Sequence, residues 1–125
     1  MPSRKEVTMS SILPELNEKL SKTSIEVPDL IPFAMQDELS AVTTMEDVVG
    51  LDIGDLERIR NHWAGQWRGI HEKMIAYKQC IEEKKARGQD IGRLAKHVRK
   101  LKNQVYKAKF ICGIVAEIVH AKKGN

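Results

Sequence analysis

The sequence predicts an all-α, oligomeric protein organised on a long antiparallel, coiled-coil-like helical hairpin, with short N-terminal helices and an extended segment packing on its open end. Three observations carry this expectation. Ile91, Leu94, Val98, Leu101, Val105, Ala108, Cys112, Val115 and Val119 recur at alternating steps of three and four, the repeat that keeps one helical seam facing a partner. Upstream, Leu56, Ile59, Trp63, Trp67, Ile70, Met74, Tyr77 and Ile81 follow the same rhythm, with one extra step of four that relaxes a supercoil locally. Between them, Lys84-Lys85-Ala86-Arg87-Gly88-Gln89-Asp90 supplies cations for a helix C-terminus, a glycine for a left-handed cap and an aspartate for the next helix start.

Taken in order, residues 1–9 are polar, lack a cap and are expected to be mobile. Ser10 or Ser11 caps a short helix to about Leu20, with Ile12, Leu16 and Leu20 on one face and Pro14 in the first turn, where its missing N–H does no harm. Pro28 and Pro32 then push the residues before them out of the helical region, so the stretch to Pro32 reads extended. It is too apolar for a free linker: Ile25, Val27, Leu30, Ile31, Phe33 and Met35 need a surface to lie on. A further short helix to about Ser40 and another starting at a Thr43 or Thr44 capping box, ending at Gly50, complete the front of the chain. Asp52 or Asp55 caps the first long arm. The division is therefore an acidic segment over 1–50 and a basic hairpin over 51–125, with arms at about 55–87 and 91–121.

The arms differ along their length. Near the turn only one narrow seam is apolar, whereas towards the open end Tyr106, Phe110, Ile111, Ile114 and Ile118 fall off the seam, facing Trp63 and Trp67. That surplus needs more cover than one partner helix gives. The chain's residues 12–51 and a second subunit are both expected to supply it, so Trp63, Trp67, Tyr106, Phe110, Ile114 and Ile118 are the expected interface residues.

Charge is divided unevenly. Residues 1–57 hold 4 Lys and Arg against 12 Asp and Glu, while 58–125 hold 17 against 5, which the overall +4 conceals. Such a basic module binds polyanions or is neutralised by its own acidic arm. Ile91 to Ala116 contains no acid at all, unlike an ordinary solvated face, which mixes signs. Arg93, Lys96, Arg99, Lys100, Lys102 and Lys107 are accordingly the expected nucleic-acid-binding residues, with Lys109 beside them. Cys80 and Cys112 fall at unmatched levels of the hairpin, so no intrachain disulfide is expected, and free thiols fit a reducing, cytoplasmic setting. The N-terminus lacks the apolar run of a signal peptide, and Phe110–Val119 is too short for a span of roughly 20 residues, so no membrane partner is expected.

Other constellations are weaker. Trp63 and Trp67, with Arg60, His62, Arg68 and His71, could stack on single-stranded nucleic acid, but both continue the apolar stripe and fit a core or interface better. Gly65 and Gly69 either admit a close neighbour or are tolerated at a cost of roughly 1 kcal/mol each. Met45, Val49, Gly50, Leu51, Leu56 and Ile59 match a helix-turn-helix loosely, yet its second helix would open on Asp52, Asp55 and Glu57, which phosphate repels. His71-Glu72-Lys73-Met74-Ile75 lacks the second histidine of a zinc-protease helix, and neither a phosphate-binding glycine loop nor a Cys/His ligand spacing occurs. No catalytic or metal-binding residue and no cofactor is expected, and no motif identifies a family.

The expected function is therefore a non-enzymatic, accessory or regulatory module that forms homo-oligomers and binds nucleic acid through the basic hairpin face without reading its sequence. A protein-binding adaptor or inhibitor, capturing its partner with residues 25–49, is the alternative, and a helix-turn-helix regulator the third reading.

Overall fold

The computed structural model describes residues 4–124, with side chains from Ile12 onward. Four helices, α1 Arg4–Ser21, α2 Met45–Val49, α3 Ile53–Ala86 and α4 Gly92–Lys123, account for most of it, and no strand occurs among the described residues. The long helices α3 and α4 pack as an antiparallel hairpin. Their bounds lie within two residues of the arms read from the seam periodicity.

The turn between them closes as the local residues dictate. Gly88 adopts φ +71°, a conformation costly for any residue with a Cβ. Gln89 N–H donates to the Lys84 carbonyl at 2.9 Å and Gly88 N–H to the Lys85 carbonyl at 3.0 Å, the paired bonds of a Schellman cap. Asp90 then accepts from Gly92 N–H at 3.0 Å and launches α4. At the other end of α3, Asp52 accepts from Asp55 N–H at 2.8 Å and serves as its cap.

The front of the chain departs from expectation in three places. α1 starts at Arg4, so Ser10 and Ser11 lie inside it and Pro14 sits mid-helix. Arg4, Lys5, Glu6 and Met9 favour a helix although they show no apolar period, and periodicity alone misses such a start. Of the end expected to be mobile, residues 1–3 lie outside the described residues. The stretch before Pro32 is not fully extended either, since Val27–Leu30 is a 3₁₀ turn. The short helix expected from there to about Ser40 is only the 3₁₀ turn Phe33–Met35, followed by turns. Proline fits the first turn of such an element, where no N–H is needed, and Asp29 accepts from Glu26 N–H at 2.9 Å to close it. Ile31, ahead of Pro32, is extended as that proline requires.

The chain divides into two compact units, Met1–Trp63 with Ile111–Asn125, and Ala64–Phe110. The first runs across the composition boundary at residue 50. It holds most of the core: Leu16, Leu30, Val48, Leu56, Ile59, Ile111, Val115 and Ile118 all have no exposed surface. α1 packs on α2, and the Trp63 indole N–H donates to the Leu30 carbonyl at 2.8 Å, tying the first 3₁₀ turn to α3. Ile114 and Ile118, off the main seam, are thus buried in a unit that contains the chain's own N-terminal segment.

The second unit is thinner, because a bare helix pair buries only one line of side chains per helix. Met74, Leu101, Val105 and Ala108 are buried, while Ile70, Tyr77, Ile81, Ile91, Leu94 and Val98 remain half-exposed. A Cβ added at Gly65 or Gly69 would meet nothing within 4 Å, so neither glycine admits a close neighbour from this chain. The difference in burial sets an expected order of stability. Ile118→Ala should cost about 2–5 kcal/mol by urea denaturation, as full burial implies, and Leu94→Ala less than half of that. Equal losses would contradict the division of the core.

Candidate nucleic-acid interface

The expected basic residues all fall in the second unit. Arg93, Lys96, Arg99, Lys100, Lys102, Lys107 and Lys109 are exposed on α4. Helix geometry sorts them into two lines. Arg93, Lys96, Lys100 and Lys107, at steps of three, four and seven, lie opposite the seam. Arg99, Lys102 and Lys109 follow a second line beside it, with Tyr106 in the same row at steps of three, four and three. Each line spans roughly 15–20 Å at the α-helical rise.

The electrostatics of the two units are opposite. Ala64–Phe110 carries 13 Lys and Arg against 4 Asp and Glu, a net of +9, and the remaining residues carry 8 against 13, a net of −5. Every ion pair among the described residues lies in the first unit. Lys19 meets Glu117 at 3.0 Å, Arg58 meets Glu38 and Asp55 at 3.2 Å each, Lys22 meets Glu18 at 3.4 Å, and Lys123 meets Glu57. The Lys and Arg of Ala64–Phe110 form none. Their mutual repulsion is left to solvent counterions, the condition under which a polyanion gains most by displacing those ions.

The aromatic residues separate into distinct roles. Trp63 belongs to the first unit, half-buried and hydrogen-bonded, with His62 edge-on at 5.1 Å. Trp67 belongs to the second. The Lys109 ammonium lies 4.7 Å from its ring centroid and the Arg68 guanidinium 6.0 Å, within cation–π range, and His71 stands edge-on at 6.3 Å. Tyr77 and His97 make an edge-to-face pair at 4.7 Å across the hairpin. Tyr106 has no such partner. It is 64% exposed, and its side chain makes no hydrogen bond or ring contact among the described residues. Phe110 is half-buried. Sequence periodicity groups Tyr106 with the apolar surplus; its row with Arg99, Lys102 and Lys109 is legible only by asking what lies off the seam.

The remaining candidates resolve into structural parts. Cys80 and Cys112 are free, half-buried thiols, and the Cys112 thiol contacts the Arg60 carbonyl at 3.8 Å. Among the described residues no cluster of His, Cys, Asp or Glu could hold a metal ion, and no helix is long and apolar enough to cross a membrane. At the loosely matched helix-turn-helix, α2 is only five residues long, with Thr44 as its cap. Asp47 N–H donates to the Thr44 hydroxyl at 3.2 Å, and the Asp47 carboxylate accepts from Thr43 N–H at 3.0 Å and Thr44 N–H at 3.1 Å. The Thr43 N–H first, and then Thr44, hold the Asp47 carboxyl below its usual range. Comparison of the chain with known protein families, curated proteins and solved structures finds no significant match.

The Asp47 arrangement predicts an acid-sensitive element. A carboxyl whose folded value is depressed stabilises the fold above its unfolded value, and that stabilisation is lost as pH falls through the folded one. Melting temperature should therefore fall on acidification below about pH 4, with a shallower fall in Asp47→Ala. Parallel acid limbs in the two proteins would remove Asp47 from the cause.

Proposed function

We propose that this protein is a non-enzymatic, oligomeric helical module that binds nucleic acid through phosphate contacts on the basic face of α4, in an accessory or regulatory role. One observation carries the reading: Ala64–Phe110 carries a net charge of +9 and none of its Lys or Arg is ion-paired, while the ion pairs among the described residues all lie in the first unit. Lysine and arginine contacts to phosphate are independent of sequence, because phosphate carries no base information. Oligomerisation is supported by Ile70, Ile81, Ile91, Leu94 and Val98, which stay half-exposed on the hairpin and would be covered by a second copy. The free thiols accord with a reducing, cytoplasmic setting.

A second reading, capture of a protein partner by residues 25–49, is favoured by one observation. Phe33 is 90% exposed in the turn that follows Pro32, and a recess of about 220 Å³ lined by Pro28, Ile31, Leu39 and Val42 lies in the same segment. Phe33 contributes nothing to this chain's core, so its replacement separates the two readings cleanly.

Titration of a labelled oligonucleotide by fluorescence anisotropy across a salt series, with mass in solution measured alongside, tests the proposal. Affinity should fall steeply with salt, and Lys96→Ala/Arg99→Ala/Lys100→Ala/Lys102→Ala should flatten the log–log slope by about 0.7–0.9 for each phosphate that is no longer neutralised. Phe33→Ala should leave both quantities unchanged. Absent or salt-independent binding to single- and double-stranded probes alike would reject nucleic acid as the ligand.

A further inference from the structure

Tyr106 is the unusual residue of the basic face. Most of its ring is in water, it has no hydrogen-bond or ring partner among the described residues, and it stands in line with Arg99, Lys102 and Lys109 on α4. Lys102 and Lys109 are its neighbours one helical turn to either side, and no acid occurs from Ile91 to Ala116. A large exposed ring contributes little to the core, and a helix position between lysines needs no aromatic for its own stability. Trp67 does not share this freedom, since the Lys109 ammonium already lies over its face.

Resting on the proposed binding of nucleic acid, we infer that Tyr106 is a stacking post for an unpaired base, with Arg99, Lys102 and Lys109 holding the flanking phosphates, so that this face takes single-stranded nucleic acid. Duplex bases are stacked on each other and closed to a ring standing on a helix surface. A single strand can turn one base onto the phenol while its backbone follows the row of cations. Every base has a π-face, so the contact requires no particular sequence.

The test compares an unstructured single strand of about 20 nucleotides, ample to cover a helix face of this length, with its duplex and with a strand of equal charge carrying abasic sites. Wild-type protein should favour the intact strand over both others. Tyr106→Ala should weaken intact-strand binding about tenfold, leave duplex and abasic binding unchanged, and abolish the preference between intact and abasic strands; Tyr106→Trp should restore it. The abasic comparison needs no substitution and is independent of folding.

If Tyr106→Ala binds the intact strand as wild type does while the Lys/Arg-to-Ala variant loses binding, the stacking role is wrong and the phosphate reading survives. If wild type binds no nucleic acid, both fall. Tighter binding of duplex than of single strand, or a change in oligomer mass on Tyr106→Ala, also overturns the inference, the last by assigning the ring to a subunit interface.

Discussion

The structure depends on how much apolar surface two paired helices can hide. A helix pair covers one line of side chains on each member, and any further apolar row must find a third layer. Towards its C-terminus α4 carries such rows, with Ile111, Ile114 and Ile118 beside the seam residues Val115 and Val119. All five are buried in the first unit, which draws on α1, the two 3₁₀ turns and α2. The N-terminal segment is therefore part of the core: its Leu16, Leu30 and Val48 are as fully buried as Leu56 and Ile59 of α3.

Burial and charge follow the same division. Where a third layer is present, acids and bases from different elements come close enough to pair, as Glu38 with Arg58 and Lys19 with Glu117 do. These pairs are at least partly exposed and add little stability individually, but they offset part of the local charge. Ala64–Phe110 consists of the two helices and their turn, with few acids of its own. Its cations therefore have no acidic partner among the described residues.

The pair of tryptophans shows how similar sequence positions acquire different chemistry. Both continue the seam of α3 and are four residues apart. Trp63 meets the Leu30 carbonyl and becomes a structural tie, while Trp67 meets Lys109 and becomes part of a basic surface. Periodicity assigns both to the same stripe, since it records only which direction a side chain leaves the helix. What it meets there is a property of the neighbouring element.

The helical class, the two long arms, the turn at Gly88, a capping box at Thr43 or Thr44 and the segregation of charge are all legible in the amino-acid sequence. Each rests on interactions between residues close in the chain, or on counts that folding leaves unchanged. The sequence also marked the surplus apolar rows near the open end, and α1's early start escaped because its first turns carry helix formers without an apolar period. That the N-terminal segment shares a core with the C-terminal part of α4, that ion pairing among the described residues is confined to that unit, and that Tyr106 stands exposed among cations are outcomes of tertiary packing. These outcomes depend on which distant residues meet, and that is fixed by the three-dimensional packing of apolar rows, for which local spacing supplies the need but not the partner.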